Sequence, residues 1–289
     1  MRAGLFRTRA LSLAFAVLAL GIALTILSRS LVQERALRTE QVRFERRAAQ
    51  LTHALRSAFE VPTEVLHSIP SLFDASESVE RHEFRTFVRR PLERWPEIYA
   101  LEWFPRVSGS ERSKYESAAR SDGLTDFQFT RTGEGGRMLR AEPRSEHFPL
   151  YFMEPSNAIA LGFDLASEEA RVAPVLKARD SGRPVMSPRI RLVEDAPTVF
   201  SIAAFSPVYA GGTTPNSLET RRLAFRGVAA VVFRIEPVVD RVLRDGDLGG
   251  SDFVLRDRDA PPGLALLHET RPGLGHDFST EAASALVAL

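Results

Sequence analysis

FRGVAAVVFRI, residues 225–235, reads as a buried strand: apolar, valine-rich, with charge only near its ends. It follows GGTTPNSLET, residues 211–220, whose glycines, proline and hydroxyls mark a loop or linker. The placement of this strand sets the fold. Coming after a linker, it opens a second structural cycle. Pro237 then starts a short helix over residues 237–246, and SDFVLRD (251–257), LALLHET (264–270) and HDFST (276–280) follow as short strands.

A first cycle precedes the linker. IYALEWFPRV, residues 98–107, has the aromatics and alternation of a strand. Ser110 is placed to cap a helix over residues 111–122, which Gly123 ends. Phe127 and Phe129 alternate inward in DFQFTRT, residues 126–132, and GEGGR (133–137) is a loop. HFPLYFM (147–153) and NAIALGFDL (157–165) read as strands. Ser167 is a candidate N-cap for a helix that Pro174 disturbs and Gly182 ends. RPVMSPRIRLV (183–193) and TVFSIAAFSPVY (198–209) read as adjacent strands. Strands outnumber interspersed helices, which predicts an α+β fold with antiparallel sheets in two consecutive modules. The expected boundaries are 77–210 and 211–289, the second module stopping before it looks complete.

Upstream of both modules the pattern is helical. Residues 10–28 carry no charge, enough for a helix of roughly 28 Å, close to the thickness of a bilayer core. Arg2, Arg7 and Arg9 precede this run and place the N-terminus in the cytoplasm. The run is longer than the apolar region of a signal peptide and lacks an A-x-A-like site, so a retained anchor over residues 1–30 is expected. Residues 31–76 read as a charged, amphipathic stalk helix, with Leu37, Ala48, Leu51, Leu55 and Phe59 on one stripe and Pro62 as a kink. That stripe has two readings: packing on the following domain, or in addition a parallel homodimer contact. The main domain is expected outside the inner (cell) membrane, in the periplasm.

Composition narrows the function classes. Lys+Arg 38 against Asp+Glu 37 gives a net charge of +1, without the basic excess of a nucleic-acid binder. The absence of cysteine excludes disulfides, thiolate metal sites and thiol nucleophiles. Six scattered histidines lack metal-ligand spacing. DGDLGG, residues 245–250, begins like a calcium loop, but Gly249 stands at its fifth position and Arg256 at its twelfth, where a bidentate Glu is needed. No nucleophile-elbow, zinc-protease or phosphate-loop motif is present. No metal and no cofactor are expected, and weight moves from enzyme to binding module. A membrane-tethered periplasmic hydrolase and a non-binding dimerisation or scaffold module are the rivals.

One acid stands out. In LGFDLASEEA, residues 161–170, Asp164 sits where an apolar run meets a helix start. Burying a carboxylate there costs several kcal/mol unless it is paired. It can accept from a ligand, or from main-chain amides of residues 165–167 as a cap.

RWPEIYALEWFPRV (94–107), HFPLYFMEP, LGFDLAS, ARDSGRPVMSP and FSPVY occur in that order. Together they resemble a CHASE domain, the extracytoplasmic sensor of bacterial and plant receptors, the plant cytokinin receptors among them. The resemblance is strongest over residues 84–209. It implies a long N-terminal helix, then two tandem PAS-like modules, the membrane-distal one holding a small-molecule ligand. It also implies a cytoplasmic histidine kinase or diguanylate cyclase output, absent from this chain. In cytokinin-binding members an aspartate matching Asp164 accepts hydrogen bonds from the ligand's purine. The resemblance places Met186 and Phe205 on the apolar wall of that pocket, so Asp164, Met186 and Phe205 are the expected ligand-binding residues.

Overall fold

The computed structural model describes the backbone of residues 2–76, 78–193, 195, 199–246 and 252–271. Within these, side chains 2–20, 23, 26–27, 30–31, 34, 36–37, 60–64 and 262 lie outside the description. The chain divides into two compact units, Met1–Thr52 and His53–Leu289. Helix α1 (Arg2–Ala75) runs continuously, through Pro62, and spans the boundary. Among the described residues no helix is long and apolar enough to cross a membrane; the expected span, residues 10–28, falls largely on side chains outside them.

In the second unit, α1 is followed by α2 (Arg81–Arg94), β1 (Ile98–Pro105), β2 (Val107–Ser108) and α3 (Arg112–Ser121). Then come β3 (Thr130–Thr132), β4 (Met138–Arg140), β5 (Glu146–His147) and β6 (Phe152–Glu154). After them lie α4 (Glu169–Ser181), β7 (Val185–Met186), β8 (Ser201–Tyr209), α5 (Leu218–Ala224) and β9 (Phe225–Arg234). The described chain closes with α6 (Ile235–Asp245), β10 (Val254–Arg256) and β11 (Leu266–Glu269). This is a mixed α/β arrangement built on one five-stranded sheet, ordered β6-β1-β9-β8-β7, in which every pairing is antiparallel.

Both faces of that sheet are covered, which is why β1, β8 and β9 read as near-continuous apolar runs. On one face lies the C-terminal part of α1. Leu55, Phe59, Leu66, Ile69 and Phe73 recur at helical spacing and are buried. Phe59 meets Phe233 edge-on at 5.8 Å, and Phe73 stacks on Trp103 at 3.9 Å. The other face carries Ala100, Phe104, Ala203, Phe205, Ala230 and Val232, packed with Phe129, Phe148, Phe163 and Val175 in one core.

Residues 225–234 therefore do not open a second sheet. β9 pairs with β1 and β8 on its two sides and is the middle strand of the first sheet. The boundary expected at 211 cuts through this sheet. The reason is local: Ser217 caps α5, its hydroxyl accepting from the Thr220 amide, and this short helix returns the chain alongside β8. Gly227 makes the close approach possible. Its φ is +149°, and a Cβ there would lie 2.3 Å from the Phe104 carbonyl oxygen.

NAIALGFDL also departs from the strand expected of it. Residues 158–162 form a turn, followed by single bridges Thr130–Phe163 and Pro149–Asp164. Gly162 stands at φ +88°, with an added Cβ 2.2 Å from the Gln128 carbonyl oxygen, so the run cannot extend through it. Two caps move as well: Glu111 precedes α3 in place of Ser110, and Glu168 precedes α4 in place of Ser167. Pro174 lies buried inside α4. HDFST lies outside the described residues.

Candidate ligand-binding site

Asp164 precedes a 3-10 turn, Leu165–Ser167, and is fully buried. Oδ1 accepts from the Phe148 amide at 2.8 Å and the Ala166 amide at 3.1 Å. Oδ2 lies 2.6 Å from Nδ1 of His147, itself fully buried. An acceptor-only carboxylate there assigns the Nδ1 proton to the imidazole as donor. Three protein donors thus hold Asp164. His147 Nε2 has no hydrogen-bond partner among the described residues. Ser108, which shares an open groove of about 820 Å³ with His147, spends its hydroxyl on Ser110 and Glu111. Beneath that groove Glu116 binds Arg112 and Arg140. Burial raises its pKa, but the Phe129 amide and Arg112 override this and hold the carboxyl below its usual range.

A second, smaller and partly open space lies against the core face of the sheet. It measures about 40 Å³, room for about three waters. Phe104, Phe205, Ala203 and Val232 come from the sheet; Leu150, Phe163 and Leu165 close one side and Ile190, Leu192 and Val193 another. Three polar residues join them: Glu102, Arg171 and Ser187. Glu102 shares its strand face with Ala100 and Phe104, by the two-residue alternation of β1, and is 8% exposed. Arg171, on α4, gives Nε to Glu168 at 2.7 Å and Nη2 to the Arg191 carbonyl, and its guanidinium lies 4.8 Å over the Phe163 ring. Ser187 accepts from the Ala203 amide at 3.0 Å, which leaves its own proton to donate.

Phe205 lines this cavity. Asp164 does not, although Phe163 and Leu165 on either side of it do. Met186 is half-buried and pairs with Ala204, one residue before Ser187. Sequence reasoning passed over Glu102, Arg171 and Ser187. The signal was there for Glu102: a lone acid inside IYALEWFP, the same cue that singled out Asp164. Arg171 and Ser187 carry no such cue, because tertiary packing alone brings α4 and the end of β7 to β1.

The family model described as the CHASE domain matches residues 77–268. Among solved structures, the chain is similar to the ligand-binding domain of the Pseudomonas aeruginosa PAO1 amino acid chemoreceptor PctC in complex with GABA. That likeness has 14% identity and a TM-score of 0.45, covering 80% of this chain and 75% of that one. It is also similar to a structure titled methyl-accepting chemotaxis protein X, at 18% identity and a TM-score of 0.42, covering 79% and 78%. At these scores neither likeness fixes a detail of fold or ligand.

Proposed function

The chain belongs to the CHASE domain family of extracytoplasmic sensor domains in signalling, and from that premise we propose that it is a membrane-anchored receptor sensor that binds a small molecule. The small cavity on the sheet face carries this reading: an otherwise apolar hollow with a few polar groups in its lining. Phe205 is its wall. Met186 belongs to the short strand that delivers Ser187, and Asp164 acts from behind as a positioning residue, fixing Phe163 and Leu165.

On this reading residues 1–30 are the anchor in the inner membrane and α1 continues as the stalk, through which two copies pair. The five-stranded sheet is the PAS-like, membrane-distal module, and α6 with β10 and β11 begins the membrane-proximal one. The domain itself performs no chemistry; ligand binding biases the packing of the stalk and so an output kinase or cyclase.

Thermal melting of the full chain against purines, amino acids and short peptides tests it. At least one compound should raise the melting temperature, and Ala203→Leu, which fills the cavity, should abolish that response while leaving the protein folded. A response untouched by Ala203→Leu, or none from any compound, rejects this site.

A further inference from the structure

The charged groups in the cavity lining are already answered by the protein. Glu102 has a partner within the chain. Arg171 gives Nε to Glu168 and Nη2 to the Arg191 carbonyl. The rest of the wall, Ser187 apart, is hydrocarbon. An ion entering this hollow would shed its water and meet no free counter-charge. The lining therefore selects against charge.

One polar capacity of the lining is unspent. Ser187 is 4% exposed. Its oxygen accepts from the Ala203 amide at 3.0 Å, and among the described residues its proton goes to no acceptor. Its own amide donates to the Ala203 carbonyl at 2.7 Å, so the residue is pinned to β8 through both main chain and side chain. Ser201 stands two residues before Ala203 on the same face of β8, about 7 Å along the strand. It is fully buried, and its hydroxyl has no partner among the described residues. Ile190, in the cavity lining, bridges to it.

Size narrows the match. About three waters correspond to on the order of 90 Å³ of liquid, the bulk of a molecule with a handful of heavy atoms. We propose that the cavity is a site for a small uncharged molecule, mostly hydrocarbon, whose oxygen accepts the Ser187 hydroxyl proton: a short-chain ketone or alcohol. Its hydrocarbon part lies among Phe104, Leu150 and Phe205. The donor is pre-organised by the Ala203 amide, so binding orders one small ligand and little else. This rests on the sensor reading above and names the ligand class for that same cavity.

For the test, 2-butanone and 1-propanol join the melting screen of the full chain, beside propionate, propylamine, L-alanine and adenine, with calorimetric titration of each. The two neutral compounds should bind at least about tenfold more tightly than propionate or propylamine, whose charges go unanswered. Ser187→Ala should weaken 2-butanone about three- to tenfold, as loss of one hydrogen bond implies. It should leave 2-methyl-1-butene, the hydrocarbon of the same shape, unchanged; a change of packing alone would weaken both. If Ser187→Ala fails to fold, the infrared carbonyl stretch of bound 2-butanone reads the same bond in the unaltered chain: it should lie below its value in hexane. A stretch at the hexane value, or equal loss of ketone and hydrocarbon in Ser187→Ala, overturns the assignment. Propionate or propylamine binding as tightly as 2-butanone overturns the neutral ligand. Adenine or L-alanine binding while 2-butanone and 1-propanol are inert, with Ala203→Leu abolishing that binding, overturns the ligand class and leaves the sensor reading standing. Silence from every compound, or binding indifferent to Ala203→Leu, overturns both.

Discussion

Asp164 concentrates the residue-scale energetics. Replacing it by Ala leaves the Phe148 amide, the Ala166 amide and His147 Nδ1 without their acceptor. The cost should be about 3 kcal/mol or more, seen as a lower urea midpoint with unchanged slope. A loss below about 1 kcal/mol would show that these bonds hold nothing together. A cycle with His147→Ala should reveal coupling of about 0.5 kcal/mol or more, since both side chains belong to one network. The sequence announced part of this. A carboxylate at a strand-to-helix seam invites a local amide, and Ala166 provides one. The other two donors lie 17 and 16 residues upstream. The Pro149–Asp164 bridge brings them there, and no periodicity foretells a single bridge.

At the scale of elements, two polar clasps deserve separate tests. Asp180 at the end of α4 takes Nε and Nη2 of Arg222 on α5, at 3.0 and 2.6 Å, and Nε of Arg179 at 2.7 Å. The Arg222 contact, partly opposed by burial and aided by Arg179, holds its carboxyl well below the usual range. A depressed folded pKa stabilises the protein above the unfolded value of about 4, and that stability fades as pH falls through the folded one. Asp180→Asn should therefore cost about 1 kcal/mol at neutral pH and progressively less below about pH 4. An equal deficit at pH 7 and pH 2.5 would contradict the clasp.

Arg189 makes the second clasp, giving Nη1 to the Leu266 carbonyl at 2.7 Å and Nη2 to the Gly263 carbonyl at 2.8 Å, with its guanidinium 4.2 Å from the Phe200 ring centroid. Its neighbour Ile190 lines the cavity. Arg189→Ala should speed amide exchange in β11 by about tenfold or more, as loss of charge-assisted bonds implies, while β9 exchanges as before. Uniform exchange across both strands would remove Arg189 as the tie. Such clasps escape a sequence reading because an exposed Arg and a clasping Arg look alike. Long strands do not: β8 and β9 were both legible as apolar runs, and only the partner of β9 was not.

At the scale of the molecule, the sequence placed a stalk at 31–76 and a domain after it, but the compact unit begins at His53. Periodicity marked Leu55 and Phe59 correctly as an apolar stripe, yet periodicity cannot say which surface a stripe meets. Here it meets the sheet. Phe59 is 2% exposed against Phe233, whereas Phe44 is 55% exposed. Phe59→Ala should cost about 3–5 kcal/mol and Phe44→Ala within about 0.5 kcal/mol. The same contrast predicts where the chain can be shortened. None of the described side chains from 21 to 52 is buried, so a chain starting at His53 should unfold cooperatively at the midpoint of the full chain. A chain starting at 77 loses Leu55, Phe59, Leu66, Ile69 and Phe73 from the outer sheet face together. Burial worth about 1.5–3 kcal/mol per side chain then exceeds a net stability of about 5–15 kcal/mol or nearly so, and the sheet is left with an uncovered apolar face. That shorter chain should show no cooperative transition in urea. If it melts like the longer one, the end of α1 is a stalk alone and not half of the domain's core.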